Sequence, residues 1–427
     1  MKLCEFDEYV KYTEPHKRVK GEAWQVAIGL QAVDGLVPSS YLLDTARKDI
    51  EGEITLAEAE VLMKTYYQSK DMRTPEDEQE HEADMASVNI RKLLAEPTCA
   101  FTYAGLLSVH RRIFTGIYKF AGQIRTYNIT KKEWVLRGDT VLYVSAPDLK
   151  SAIEYDLEKE KNFDYTYLHK DQMIERIVDF VSGLWQIHPF GEGNTRTTAV
   201  FTILYLRSLG FDVDNDLFAY ESWYFRNALV RANYQNVKKG IACDKSYLIR
   251  FFRNLLLGEE NELKNRTMLV NAPDEFKYRD MPQNVTPQVK GDTPQADVKT
   301  LQVTPQVKGN TPQVGVKTPQ VPPQAEENTP QADAETPQVT PQAKGIYPSS
   351  KPKVVELIKV VGRKELSTKE MMALLNLKDR KNFVQLYLIP ALESNYLRYL
   401  YPDKPKHPRQ KYLLTIKGLM IFDELEK

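Results

Sequence analysis

The sequence predicts a mainly α protein, interrupted by one short β-hairpin and followed by a smaller helical module at its C-terminal end. Three observations carry that expectation. Apolar residues recur at three- and four-residue spacing from about Trp24 to Leu257. Two short apolar runs, Trp134-Val135-Leu136 and Val141-Leu142-Tyr143-Val144, flank the turn signal Arg137-Gly138-Asp139. A Pro-rich stretch over 273–346 then divides the chain, and helical periodicity resumes at about Lys351. With 427 residues, 42% hydrophobic and 10% aromatic, the chain can form two or more domains with a real core. Lys plus Arg equals Asp plus Glu at 58 each, so no global field points to nucleic acid or membrane. Cys4, Cys99 and Cys243 lack metal-ligand or CxxC spacing and fit free thiols. No window approaches the length of a membrane span, and the acidic N-terminus has no signal-peptide core, so the expectation is a cytoplasmic protein.

Taken in order, Trp24, Ala27, Ile28 and Leu30 mark a first helix closed by Asp34-Gly35-Leu36. Tyr41–Ile50 and Leu56–Tyr67 mark two more, the last with a Thr55/Glu58 capping box. Glu76–Asp84 is mostly acidic and reads as a solvated loop or helix start. Helices are expected over Met85–Leu94 and Tyr103–Tyr118, the second with His110 on its apolar face as a core histidine. Ala121–Ile129 leads into the hairpin, where Lys131 and Lys132 read as solvated. After the loop considered next come helices over Tyr220–Tyr234 and Tyr247–Leu257. In the first, Arg226, Asn227, Arg231 and Asn233 could edge a nucleotide pocket or line an exposed face.

The chemistry is concentrated in Ile187-His188-Pro189-Phe190-Gly191-Glu192-Gly193-Asn194-Thr195-Arg196-Thr197. Met173, Ile174, Ile177, Val178, Val181, Leu184 and Trp185 give the preceding segment one buried helical face. Val200, Ile203, Leu204 and Leu206 do the same for the following one, up to the stop at Gly210. Gly191 and Gly193 let the backbone N–H groups converge beside the N-terminal end of the second helix, a seat for an anion. Glu192 would repel phosphate unless a hard cation such as magnesium bridged the two. Arg196 offers a fork of donors for phosphate oxygens, and the Asn194 amide can donate beside it. His188 is the one side chain here suited to take a proton near neutral pH, and Phe190 reads as an apolar anchor. A helix corner with glycine caps explains any one of these residues, but not six of them in this order.

The linker carries eight Thr-Pro-Gln triplets between Thr286 and Thr340 and reads as a polyproline II spacer. Beyond it, helices over Val354–Val361, Thr368–Leu375 and Asp379–Glu393 and two strand-like runs at Tyr396–Tyr401 and Lys411–Leu414 resemble a winged-helix module. From Lys351 onward sixteen Lys or Arg face nine Asp or Glu. Arg380 and Lys381 on the third helix, with Lys404, Lys406, Arg409 and Lys411 on the wing, suit either contact with a DNA backbone or docking to protein.

The loop also resembles the signature of the Fic family, His-Pro-Phe-x-(Asp/Glu)-Gly-Asn-(Gly/Lys)-Arg-x-x-Arg. That resemblance implies a helical core whose hairpin is a flap receiving a target segment, and transfer of AMP from magnesium-ATP to a Ser, Thr or Tyr hydroxyl of a target protein or of the chain itself. His188 would be the base and Glu192 the Mg2+ ligand. Gly191, Gly193, Asn194, Thr195 and Arg196 would hold the nucleotide. Two positions depart from the pattern, Thr195 for Gly or Lys and Ala199 for the second arginine. The expected organisation is an antitoxin-like helical module over 1–70, a catalytic core over 71–272, the linker over 273–346 and the winged-helix-like domain over 347–427. In the family an inhibitory glutamate pairs with the second arginine; here Asp34 stands at the glutamate position and Ala199 at the arginine. Asp34 is therefore expected to turn to solvent, cap its own helix or find another partner, and Asp34→Ala to alter transfer less than about threefold. Loss of the second arginine also motivates a different reading, a catalytically impaired, nucleotide-binding regulator acting through DNA.

Overall fold

The computed structural model of the chain describes residues 13–70, 74–213, 216–271 and 351–426, together with 6, 8 and 9. The Thr-Pro-Gln segment lies outside the described residues. All described residues belong to one compact unit. It is mainly helical, as the periodicity predicts, with a single two-stranded sheet among the described residues.

Helices α1 (Pro15–Gly29), α2 (Ser40–Glu51) and α3 (Leu56–Ser69) form the N-terminal module, and the Thr55/Glu58 capping box is present. Trp24, Leu42 and Met63 of these helices are buried in a small core that Val88 of the next helix completes. A 3-10 turn, Leu30–Asp34, follows α1 and ends at Gly35 in the left-handed region, φ 71°. Helix α4 runs from Pro75 to Leu94, so the acidic stretch is helical rather than a loop. Thr74 and Asp77 cap it reciprocally, and its acidic first turn complements the helix dipole. Asp84 within it is fully buried, accepting hydrogen bonds from Ser39 N (2.8 Å) and Tyr67 Oη (2.7 Å).

Helix α5 (Tyr103–Phe114) is followed by an arm over residues 120–145, then α6 (Leu149–Lys161), which the sequence reading did not place. Helices α7 (Lys170–Ile187) and α8 (Asn194–Ser208) flank the signature loop. Helices α9 (Asp216–Tyr220), α10 (Ser222–Asn233) and α11 (Ser246–Leu257) complete the core. The expected hairpin is not a β ladder. Trp134–Leu136 form a 3-10 turn, and Glu133 N and Asp139 O close the tip with one backbone bond at 2.9 Å. Val135, Leu136 and Val141 point into the core from both sides of that tip. Packing on the helices, not strand pairing, holds the arm.

Helices α12 (Pro352–Val361) and α13 (Thr368–Leu374) open the C-terminal region. A third helical stretch follows, in which α14 (Arg380–Phe383) and α15 (Ile389–Glu393) are joined by a π-helical turn, Val384–Leu388. Strands β1 (Leu397–Tyr399) and β2 (Tyr412–Leu414) pair antiparallel, and α16 (Ile416–Leu425) ends the described chain. This region docks on the core. Asp423 of α16 accepts hydrogen bonds from Lys170 N (3.0 Å) and lies 2.8 Å from His169 Nδ1, at the start of α7. Lys417 pairs with Asp212 at 2.6 Å. Gly210, with φ 96°, ends α8 where a Cβ would lie 2.6 Å from the Asn395 carbonyl. One hydrophobic cluster runs through both regions, from Ala23 to Phe422.

Candidate functional site

Helix α7 buries the apolar face read from its sequence and stops at His188, whose φ of 50° and ψ of 58° are unusual for a residue with a side chain. Arg125 holds that turn. Its Nε donates to His188 O (2.9 Å) and its backbone N–H to Pro189 O (2.8 Å), while Nη1 reaches Tyr127 O at 2.7 Å. The His188 ring, 3% exposed, packs between Tyr143 and Trp185. Its Nδ1 lies 3.3 Å from Trp185 O and donates to it. Nε2 is buried and has no hydrogen-bonding partner. Burial, and next the charges of Lys131, Arg226 and Arg125, hold the imidazole well below its ordinary pKa against the opposing bond to Trp185. The ring is thus neutral, with its free lone pair on Nε2.

Gly193 sits at φ 73°, and a Cβ there would fall 2.2 Å from the Phe114 ring. At Gly191 a Cβ would lie 3.0 Å from the Tyr127 hydroxyl. Helix α8 starts at Asn194 with no side chain capping it. Its leading N–H groups, which have no intrahelical acceptor in any helix, lie at the loop, where the glycines lead one to expect an anion seat. Asn194 and Thr195 act differently from the expectation. The Asn194 amide clamps the loop, donating to Phe190 O (2.8 Å) and accepting from Phe190 N (2.9 Å), so it shapes the seat rather than reaching into it. The Thr195 hydroxyl accepts from Trp185 Nε1 at 3.0 Å and ties α8 to α7. His110 is the core histidine expected. Its Nδ1 accepts from Gly122 N (2.8 Å), which leaves Nε2–H to donate to Glu192 O (3.1 Å). Its ring stacks on Phe190 at 3.7 Å, the apolar anchor.

Arg196 is almost wholly buried and fully engaged. Nη1 donates to Gln31 Oε1 (3.0 Å), Nη2 to Glu82 Oε1 (2.5 Å) and Tyr118 Oη (3.3 Å), and Nε lies 2.7 Å from Asp34 Oδ2. The last contact is an ion pair lying off the N–H direction, since Nε makes no hydrogen bond. Burial pushes the Asp34 carboxyl up, but Arg196, Lys131 and Arg226 together bring it below its ordinary range, so it is ionised. Of the three fates expected for Asp34 the structure gives the third, and the partner is the first arginine of the signature. Ala199, at the position of the second, is buried in the core.

At the open end of the loop, Glu192 pairs with Lys131 of the arm at 3.0 Å, so Lys131 is not the solvated residue it was expected to be. Behind it, Glu133 is buried, pairs with Arg226 at 2.9 Å and accepts from Tyr143 Oη at 3.4 Å. Glu192 is the one carboxylate of the loop. Among the described residues no group of three or more acidic, histidine or cysteine ligands could form a protein cage for a metal. A single half-exposed carboxylate facing an anion seat fits magnesium, which takes one or two carboxylates and completes its shell with water and phosphate. Of the residues on α10, Arg226 faces the site, whereas Asn227 donates to Asn265 and Asn233 to Ser182 O.

The sequence reading named Arg226 as a residue that could edge the pocket, but missed Gln31, Glu82, Tyr118, Arg125, Lys131, Glu133 and Tyr143 as parts of this site. Only the acidic run around Glu82 carried a signal, and there charge density masked one buried member.

Residues 100–206, which include the whole loop, match the Fic/DOC family model. Residues 352–415 match that of the filamentation induced by cAMP protein Fic-like, C-terminal domain. Among solved structures, a Fic family protein from Desulfovibrio desulfuricans G20 aligns over 97% of this chain and 94% of its own, at 16% identity and a TM-score of 0.35. A Fic/DOC domain points to transfer of a nucleotidyl or phosphate group. The chain thus carries a Fic/DOC domain, with His188, Glu192 and Arg196 inside it, followed by a Fic-like C-terminal domain.

Proposed function

We propose that this chain transfers a nucleoside monophosphate, AMP in the first instance, from a magnesium-nucleotide to a hydroxyl of a protein. The observation that carries the reading is the unpartnered Nε2 of a neutral, buried His188 beside the uncapped N-terminus of α8. The hydroxyl oxygen attacks the α-phosphorus, its proton passes to Nε2, and the bond to the β-phosphate oxygen breaks to release pyrophosphate. The leading N–H groups of α8 hold the phosphate while the charge shifts to the leaving group. The Glu192 carboxylate would hold magnesium, which when bound offsets phosphate charge. Phosphate reaches Arg196 only where it displaces Asp34 and Glu82. Exposed Tyr127 and Leu142 on the arm give a target segment apolar surface beside the base. Incubation with α-labelled nucleotide and magnesium tests this: His188→Ala should abolish labelling of protein, and undiminished labelling would refute the mechanism.

A second reading concerns the C-terminal domain. Arg380, Lys381, Lys404, Lys406 and Arg409 are all exposed there, which supports contact with a DNA backbone. Duplex binding by the full chain that weakens steeply with salt, and is lost when Lys404, Lys406 and Arg409 become Gln together, is the expected result. Salt-insensitive binding, or none, would remove it.

A further inference from the structure

Four cations surround the loop, and they differ in how firmly they are held. Arg125 is tied to the backbone carbonyls of His188, Tyr127 and Val144. Arg196 is held by Gln31, Asp34, Glu82 and Tyr118. Arg226 is locked on the buried Glu133. Lys131 has a carboxylate at only one position, Glu192 at 3.0 Å, and both side chains are partly open to water, 26% and 37% exposed. A partly solvated pair of that kind is weak, so its ammonium is the easiest of the four to redirect. It is also central, because its charge acts on Asp34, Glu133 and His188 as well as on Glu192. A flexible stem carrying a compact charge suits a polyphosphate that arrives from solvent.

We propose that Lys131 is a phosphate-binding residue delivered by the arm, which turns from Glu192 to the outer phosphates of the nucleotide. The assignment rests on the nucleotide-transfer reading. The same movement frees the Glu192 carboxylate at the moment the phosphates arrive, so the ammonium and a divalent cation do not compete for one seat.

The test is equilibrium binding of ATP, ADP and AMP by calorimetry, without divalent metal, to the full chain carrying Asp34→Ala, which removes one of the two carboxylates that compete for Arg196. Adding Lys131→Gln should weaken ATP and ADP about tenfold or more and leave AMP within about twofold, with Lys131→Arg restoring most of the loss. Because Lys131 is partly exposed, its melting temperature should not move. If the Asp34→Ala protein binds none of the three nucleotides, the transfer reading itself fails. If it binds them and Lys131→Gln changes nothing, or weakens AMP as much as ATP, the assignment of Lys131 to the outer phosphates is overturned.

Discussion

Asp34 Oδ2 lies 2.7 Å from Nε of Arg196, so the carboxylate at the end of a 3-10 turn in the N-terminal module sits on the arginine of the signature loop. A carboxylate there competes with phosphate. Asp34→Ala should therefore raise the initial rate of protein labelling about tenfold or more at subsaturating nucleotide, a change of about 1.4 kcal/mol. This reverses the expectation, drawn from Ala199, of less than a threefold effect. Parallel rates for wild type and variant would show that Asp34 does not compete with phosphate.

Glu82 should matter to the same arginine in a different way. It accepts from both Arg196 Nη2 and Tyr118 Oη, each at 2.5 Å, so it orients the guanidinium. Glu82→Gln keeps a hydrogen-bond acceptor but removes the charge. We expect it to raise nucleotide affinity less than Asp34→Ala does, and the double variant to exceed either. A double variant no better than Asp34→Ala would assign Glu82 to structure alone.

The pH profile of transfer follows from His188. Its pKa lies below the ordinary 6.5, so the base is already deprotonated at pH 7. The rate should be flat through neutrality and fall only as the medium becomes more acid than that ordinary value. Lys131→Met removes one of the positive charges holding the pKa down and should move the acid limb upward. An acid limb unchanged between the two proteins would mean that Lys131 does not act on the base.

His110 gives a stability counterpart. Burial lowers its pKa to about 4, with the bond to Glu192 O opposing. Below pH 6.5 the unfolded chain takes up a proton there that the folded chain refuses, so the native contribution is present above that pH and is lost as the pH falls toward 4. The stability advantage of wild type over His110→Gln, from urea unfolding, should shrink by about 1.4 kcal/mol per pH unit across that window. A constant difference would mean that the ring is protonated in the native state.

What the sequence shows of this site depends on whether the relevant forces are local. His188, Gly193 and Arg196 are legible because a tight turn and a helix start impose residue types at fixed spacing. Asn194 is legible as a loop residue, but its amide serves the Phe190 backbone, and that depends on a closure only the three-dimensional turn defines. Glu82 is invisible among Glu76, Glu78 and Glu80, since only the helical phase of α4 decides which carboxylate is turned to Arg196. The arm reads as a hairpin because Val141 to Val144 has strand composition, yet Val135, Leu136 and Val141 are consumed by the core and leave no free edge to pair. The first helix starts at Pro15, well before the expected Trp24, whereas the next two N-terminal helices and the C-terminal helix and strand order follow their periodicity to within a few residues.

The hydrogen bond from Lys170 N to Asp423 ties the Fic/DOC-matched region to the helix that follows the C-terminal match, so that the two share a helix end. Helix α7 has 18 residues and so spans roughly 27 Å, with Asp423 at one end and His188 at the other. Asp423 thus adds to the local His169–Gln172 contact at the start of α7 an acceptor for a second orphan N–H, a contribution of about 1 kcal/mol. Two segments that could be cut apart by their sequence similarities are, in this chain, joined through one helix end and one hydrophobic cluster. Calorimetry should accordingly give one transition for the full chain, and a chain ending at residue 350 should not be the same enzyme with a piece removed. It would expose the surface that Met420 and Ile421 cover, leave α7 with only its local His169–Gln172 contact at that end, and lower the melting temperature of the helix that ends at His188.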